Sequence, residues 1–228
     1  MSMSRIEPSA RVADQVFEAI HEAIIRGDLP AGKRLNMREL SDELGTSTMP
    51  VREAIRRLEE MGLAEAVPYR GAIVRGFTDK ELLDLYAVRR RLEVDAATLG
   101  TARSSATTIA RMVEEFGAME RAVEAADPVD YLDRDEGFLA VLYEESDNAV
   151  LVEMIRTLWH RCRSYKLLGA QRAMAAGDGA PLLDHQRALL AAVRAGDAER
   201  AGVITGESID SATTRIGEAI RPASDDTD

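Results

Sequence analysis

The stretch STMPVREAIRRLEEMGL, Ser47 to Leu63, reads as one amphipathic helix with its own start and stop signals. Ser47 is a strong N-cap residue, whose hydroxyl can accept from the unsatisfied N–H groups of the first turn. Pro50 falls in that turn, where its missing N–H costs little. Val51, Ala54, Ile55, Leu58 and Met61 recur with the 3.6-residue period of one buried face. Gly62 suits a left-handed cap. Thr48, Arg52 and Arg56 are spaced four apart and form a polar ridge beside the buried stripe. Upstream, Asn36 is placed to cap a short helix bearing Leu40 and Leu44, and Gly45 supplies a tight turn. Short helix, glycine turn and longer helix together predict a helix-turn-helix. Downstream, Leu63 to Val67 and Ala72 to Val74 are short strand candidates on either side of Pro68-Tyr69-Arg70-Gly71, a turn with a basic tip that reads as a wing.

These residue types in this order point to a duplex DNA partner. A helix N-terminus offers N–H groups and a positive dipole end to a phosphate. Arg52, with Arg38 and Arg56, has the reach to bind phosphates or pair with a guanine edge. Arg70 at the wing tip can meet backbone or minor groove, and Gly71 permits close approach. Glu59 and Glu60 would repel DNA, so the N-terminal half of the helix is the half expected in the groove. The competing reading is a solvated face, its arginines paired with Glu53, Glu59 and Glu60.

The formal charge of −11 is hostile to DNA until it is divided along the chain. Residues 1–75 carry 11 Lys/Arg against 12 Asp/Glu, net −1, whereas residues 76–228 carry 18 against 28, net −10. The acidity therefore belongs to the second part. Hydrophobic residues at 46% supply a core, and aromatics at only 4% favour a helical chain. The single cysteine, Cys162, excludes an internal disulfide and fits a reducing, cytoplasmic setting. No signal peptide or membrane span is legible, which predicts no membrane partner.

Patterning predicts a mainly α fold: a winged helix-turn-helix domain with a small β wing over residues 1–75, an all-α helical bundle over 78–221, and a disordered tail at 222–228. An amphipathic helix is expected from Val12 to Arg26, with Val16, Ile20, Ala23 and Ile24 inward. The short Gly76-Phe77 junction follows the winged unit. Thr78-Asp79-Lys80-Glu81 is a capping box opening a helix to about Ala102. Further helices are expected over 105–126, from Asp127-Pro128 to about Ser146, from Asn148 to about Leu168, over 181–195, and from Asp197 to about Ile220. Residues 169–180 are expected to form a loop, and residues up to about Ser9 to be disordered. Six helices suffice for a bundle enclosing a pocket.

The run GDLPAGKRLNMRELSDELGTSTMPVREAIRRLEEMGLAEAVPYRGAIV resembles the DNA-binding domain of GntR-family bacterial transcription regulators. Val88-Arg89-Arg90-Arg91-Leu92-Glu93, Asp135-Glu136-Gly137-Phe138-Leu139, Asn148, Asp184-His185 and Ala195-Gly196-Asp197-Ala198 resemble the FCD effector domain of the FadR subfamily. The resemblance implies DNA contacts at Arg38, Ser47, Thr48, Met49, Arg52, Arg70 and Gly71, a homodimer, and a near-palindromic operator. Thr48 stands where the family usually has Arg, which implies a changed operator.

The same resemblance implies a small-molecule effector, bearing a carboxylate or an acyl group, bound by Arg89, Asp135, Leu139, His185 and Ser208. Many FCD domains hold a divalent metal with one Asp and three His. Here Asp135 and His185 remain, Leu139 and Ser208 occupy the other two places, and Leu139 offers no lone pair. No tight metal site and no cofactor are expected, though Glu207 stands near enough in sequence to fill in weakly. The alternative for Asp135 and His185 is a mutual hydrogen bond. Arg89 either clamps the effector's carboxylate or pairs with Glu93 at i, i+4 on an exposed face. Tyr143, Trp159 and Tyr165 are candidates for the cavity wall or for core packing. A competing function is an all-α enzyme using Asp135 and His185 as an acid/base pair. It lacks a nucleophile elbow, a phosphate loop or a complete metal set.

Overall fold

A computed structural model describes residues 8–68, 71–177, 179 and 181–220. The chain divides into two compact units, Met1–Phe77 and Thr78–Asp228.

In the first unit, α1 (Pro8–Arg26) turns its apolar stripe of Val16, Phe17, Ile20 and Ile24 onto α3 (Thr48–Glu60), which returns Val51, Ile55 and Leu58. The helix begins at Pro8, so the expected N-terminal disorder does not extend to Pro8 and Ser9. Arg57 fastens the pair: it lies 2.7 Å from Asp14 and stacks over Phe17 at 4.1 Å. Between them run β1 (Arg34–Leu35) and α2 (Met37–Glu43), whose N-cap Asn36 accepts from the Arg38 N–H. Gly45, at φ 63°, makes the turn into α3. Helix α3 ends as expected: Gly62 is left-handed at φ 71°, with Leu63 N–H donating to the Leu58 carbonyl and Gly62 N–H to that of Glu59. Met61, expected on the buried face, is exposed, because the helix stops at Glu60 and the cap turns this residue outward.

The wing is a three-stranded antiparallel sheet in the order β1-β3-β2. Strand β2 (Ala64–Val67) pairs with β3 (Gly71–Val74) so that Ala64 faces Val74 and Val67 faces Gly71. Strand β1 was not foreseen. Its two residues pair Arg34 with Ile73 and Leu35 with Ala72, too short a run to show alternation in sequence.

Among the described residues the second unit holds six helices: α4 (Asp79–Arg103), α5 (Ala106–Glu124), α6 (Pro128–Glu144), α7 (Ala149–Ala175), α8 (Pro181–Ala195) and α9 (Ala198–Ile220). Their starts follow local chemistry. Thr78 and Glu81 form the anticipated capping box, and Asp127 accepts from the N–H groups of Val129 and Asp130 ahead of Pro128. Helix α7 corrects the expectation of a loop after Leu168, for it continues through Gly169 to Ala175. Glycine disfavours helix by about 1 kcal/mol. Here Gly169 and Ala170 are buried together with Leu167, and that packing outweighs the propensity. Within the bundle α4 packs against α6, α7 and α9, which is why it is buried on several sides. None of the described helices is long and apolar enough to cross a membrane.

Candidate nucleic-acid interface and buried cavity

The start of α3 is laid open. Ser47, Thr48, Met49, Arg52 and Arg56 are all exposed, as is Arg38 on α2. Ser47 occupies the N-cap position with extended backbone, yet its hydroxyl makes no capping bond, contrary to the sequence expectation. That hydroxyl and the first-turn N–H groups it would have satisfied are therefore free to meet a phosphate. Arg34, Arg38, Arg52 and Arg56 converge on a groove between α3 and the wing, edged by Gly71. Gly71 holds φ 77°, a conformation that disfavours any side chain. Arg70 lies outside the described residues.

Ion pairing separates these arginines. Arg56 is bound to Glu60 one turn on, so the solvated-face reading holds for it. Among the described residues Arg34, Arg38 and Arg52 have no acidic partner. Sequence reasoning missed Arg34. Its signal lies in the sheet register, since pairing with Ile73 carries it to the groove beside the wing.

In the second unit the five residues inferred for an effector, Arg89, Asp135, Leu139, His185 and Ser208, line one cavity of about 80 Å³. Helices α4, α6, α8 and α9 bring them together, and α7 adds Lys166. Arg89 does pair with Glu93, at 2.7 Å, but the pair is buried rather than surface-exposed. Glu93, only 1% exposed, also accepts from the Trp159 indole at 3.0 Å and the Tyr143 hydroxyl at 3.3 Å. Arg89 stacks on Tyr86 and reaches the buried Cys162 Sγ at 3.5 Å. Tyr143 thus serves both core and cavity wall, Trp159 the core alone, and Tyr165 is not in the wall.

Asp135 and His185 are not hydrogen-bonded to each other. Asp135 Oδ1 accepts from Gln186 Nε2 at 2.7 Å, and Oδ2 faces Lys166 Nζ at 3.4 Å. Lys166 also reaches Glu136 Oε1 at 3.2 Å. Burial opposes the Lys166 charge, but the carboxylates of Glu136 and Asp135 hold its pKa above the ordinary lysine value, so it is an ammonium at neutral pH. His185 is pushed below the ordinary imidazole value, first by burial and then by the Arg215 charge. Asp184 and Glu207 are both about half exposed or more, Asp184 pairing with Arg187 at 3.0 Å and Glu207 lying 3.8 Å from Arg200.

The family's divalent metal does not fit these residues. Asp135 is engaged by an amide and an ammonium, Leu139 and Ser208 replace imidazoles, and Lys166 would repel a dication. Among the described residues no group of three or more His, Cys, Asp or Glu is placed to hold a metal. The acid/base pair needed for the enzyme reading is likewise missing, since Asp135 is committed to Gln186 and Lys166. Lys166, Gln186 and Arg215 are cavity residues that sequence reasoning passed over. Arg215 was within reach of it, lying two helical turns beyond Ser208 on the same face.

A winged helix-turn-helix that presents unpaired arginines along one groove defines a class, the winged-helix DNA-binding regulators. Residues 12–74 match the model of the bacterial regulatory proteins, gntR family, and residues 84–211 match the FCD domain. The chain belongs to the GntR family of bacterial transcription regulators, in the FadR-like branch that carries an FCD domain. It is 28% identical to the HTH-type transcriptional regulator McbR of Escherichia coli K12 over 81% of its own length and 83% of that protein. It is 32% identical to the Probable D-xylose utilization operon transcriptional repressor of Paenarthrobacter nicotinovorans, over 83% of this chain and 82% of that one. The solved structure of E. coli McbR/YncC superposes with a TM-score of 0.77 at 25% identity, covering 92% of this chain and 99% of that chain. These relatives are transcription regulators, and the chain is a DNA-binding regulator rather than an enzyme.

Proposed function

We propose that this protein is a ligand-responsive repressor that binds a near-palindromic operator as a homodimer in the cytoplasm. Residues 1–75 form its DNA-binding domain, and residues 78–221 its effector-binding and dimerisation domain. The N-terminal half of α3 enters the major groove with Ser47, Thr48, Met49 and Arg52. Arg38 and Arg34 hold phosphates, Arg70 and Gly71 carry the wing onto the backbone, and Arg56 plays a lesser part because Glu60 neutralises it. The observation that carries this reading is the exposure of Arg38 and Arg52 with no acidic partner among the described residues, in a chain of net charge −11. Repression accords with the relative from P. nicotinovorans, itself described as a repressor.

The effector occupies the cavity of the helical unit and is small and carboxylate-bearing. A volume of about 80 Å³ admits few atoms and gives no room to a long acyl chain. Binding there shifts the population of arrangements that fit the operator, which requires the ligand to favour one arrangement over the other.

Arg52→Ala tests the contact. Loss of a base-edge pairing should weaken binding to the protein's own promoter region by about 1–3 kcal/mol, read by fluorescence anisotropy at fixed salt. Affinity unchanged to within a factor of two would remove Arg52 from the interface.

A further inference from the structure

We propose that Arg215 on α9 anchors the effector's carboxylate, and that Gln186 on α8 selects ligands that also carry an uncharged hydrogen-bond donor such as a hydroxyl. The inference rests on the reading of this cavity as the effector site, and it assigns the anion-binding role away from Arg89.

Charge pairing singles out Arg215. Three permanent cations line the cavity, and two are already neutralised: Arg89 by Glu93 at 2.7 Å, and Lys166 by Asp135 and Glu136 at 3.4 and 3.2 Å. The Arg215 guanidinium donates to the Ser211 hydroxyl at 2.9 Å, and among the described residues it has no carboxylate partner. It is half-buried, and its charge is felt by both Tyr131 and His185 across the cavity. A planar guanidinium with free N–H groups at the edge of a small, partly desolvated space is matched by a carboxylate. An anion at Arg89 would instead have to compete with a buried glutamate held by three donors.

The second pole is an orphaned acceptor. Gln186 is 8% exposed and lines the cavity, and its Oε1 has no hydrogen-bond partner among the described residues. The amide cannot be turned over to relieve this, because its Nε2 is the group that can donate to the Asp135 carboxylate at 2.7 Å. A buried acceptor left unmade is costly, so a ligand that donates to it is favoured over an isosteric one that does not. The Lys166 ammonium beside Asp135 makes this end unfavourable for a second cation, which prefers a hydroxyl to an amine. The cavity's 80 Å³ is space for roughly five to eight water-sized atoms. The ligand class is therefore a short hydroxy-monocarboxylate, bound without a metal.

The test uses the full-length protein and four-carbon probes that differ by one group: 2- and 3-hydroxybutyrate, 3-aminobutyrate, butyrate and butane-1,3-diol. Binding is measured by calorimetry for the wild type, Arg215→Gln and Arg215→Lys, with and without a chelator. At least one hydroxybutyrate should bind the wild type five-fold or more tighter than butyrate or 3-aminobutyrate, with the diol silent and the chelator without effect. Arg215→Gln should weaken it ten-fold or more, and Arg215→Lys should recover part of that loss. The ligand-free melting temperature of each variant separates this from a folding defect. The proposal is overturned if no hydroxybutyrate binds, if butyrate binds as tightly, or if Arg215→Gln binds as well as the wild type. Retention of promoter-region DNA by the wild type, assayed on the same samples, decides the regulator reading separately. DNA held with no probe bound sinks the Arg215 assignment alone.

Discussion

Glu93→Ala is expected to destabilise the helical unit by about 3–5 kcal/mol, because it leaves a buried guanidinium without its counter-charge. Arg89 is 4% exposed, with Glu93 at 2.7 Å as its one carboxylate partner among the described residues, and the same substitution strips the Trp159 indole and the Tyr143 hydroxyl of their acceptor. The Trp159 indole, buried in the core away from the cavity, is left without an acceptor and adds the penalty of an unmade bond. Urea unfolding followed by circular dichroism gives the number. The chain's single tryptophan, Trp159, lies in this unit, and its fluorescence reports the local transition. The double variant Arg89→Met/Glu93→Leu should recover much of the loss, since removing both charges costs far less than stranding one. A loss below 1 kcal/mol for Glu93→Ala would mean that Arg89 finds water or another anion.

Gly100→Ala should cost the same unit about 3 kcal/mol, the upper end of the overpacking range. A Cβ at this point of α4 would sit 2.1 Å from the carbonyl oxygen of Leu142 and 3.3 Å from its Cδ1. The oxygen belongs to the backbone of α6, where it accepts from the Glu145 N–H, so relief requires the whole helix to move. Ala is otherwise the better helix former by about 1 kcal/mol, and the result sets close approach directly against propensity. A variant as stable as the wild type in urea would show that α4 and α6 can separate freely.

Much of the fold was legible because the deciding signals are local. Ser47, Pro50 and Gly62 bracket α3, Thr78 and Glu81 open α4, and Asp127-Pro128 opens α6. Each depends on residues within one turn of the boundary. The misreadings share a different cause. Gly169 looks like a break until the buried flank of α7 is known, and Arg89–Glu93 has the spacing of a surface pair whether it faces water or the core. Exposure is a tertiary property, and i, i+4 spacing says nothing of what lies opposite. In the cavity, the five residues inferred by resemblance do meet, but the residues that set its charge balance were not among them. Lys166, Gln186 and Arg215 acquire meaning only once α6, α7, α8 and α9 are assembled, because each is defined by a partner, or the lack of one, on another helix. The pairing of Arg56 and the unpaired state of Arg52 were equally invisible, since Arg56 has glutamates one turn away on both sides and Arg52 has one beside it in sequence, and neither spacing says which pair forms.

In the proposed complex the exposed face at the start of α3 lies against base pairs. Met49 is the most exposed apolar residue there, at 67%, and replacing it with a photo-crosslinking amino acid places a short-range probe on that face. Leu83 in the helical unit, 55% exposed, carries the same probe as the comparison. Irradiated on the promoter region, the protein should crosslink from position 49 to bases at two symmetry-related places in the operator and give nothing from position 83. Crosslinks absent from position 49 while the labelled protein still holds that DNA would show that this face does not meet the bases.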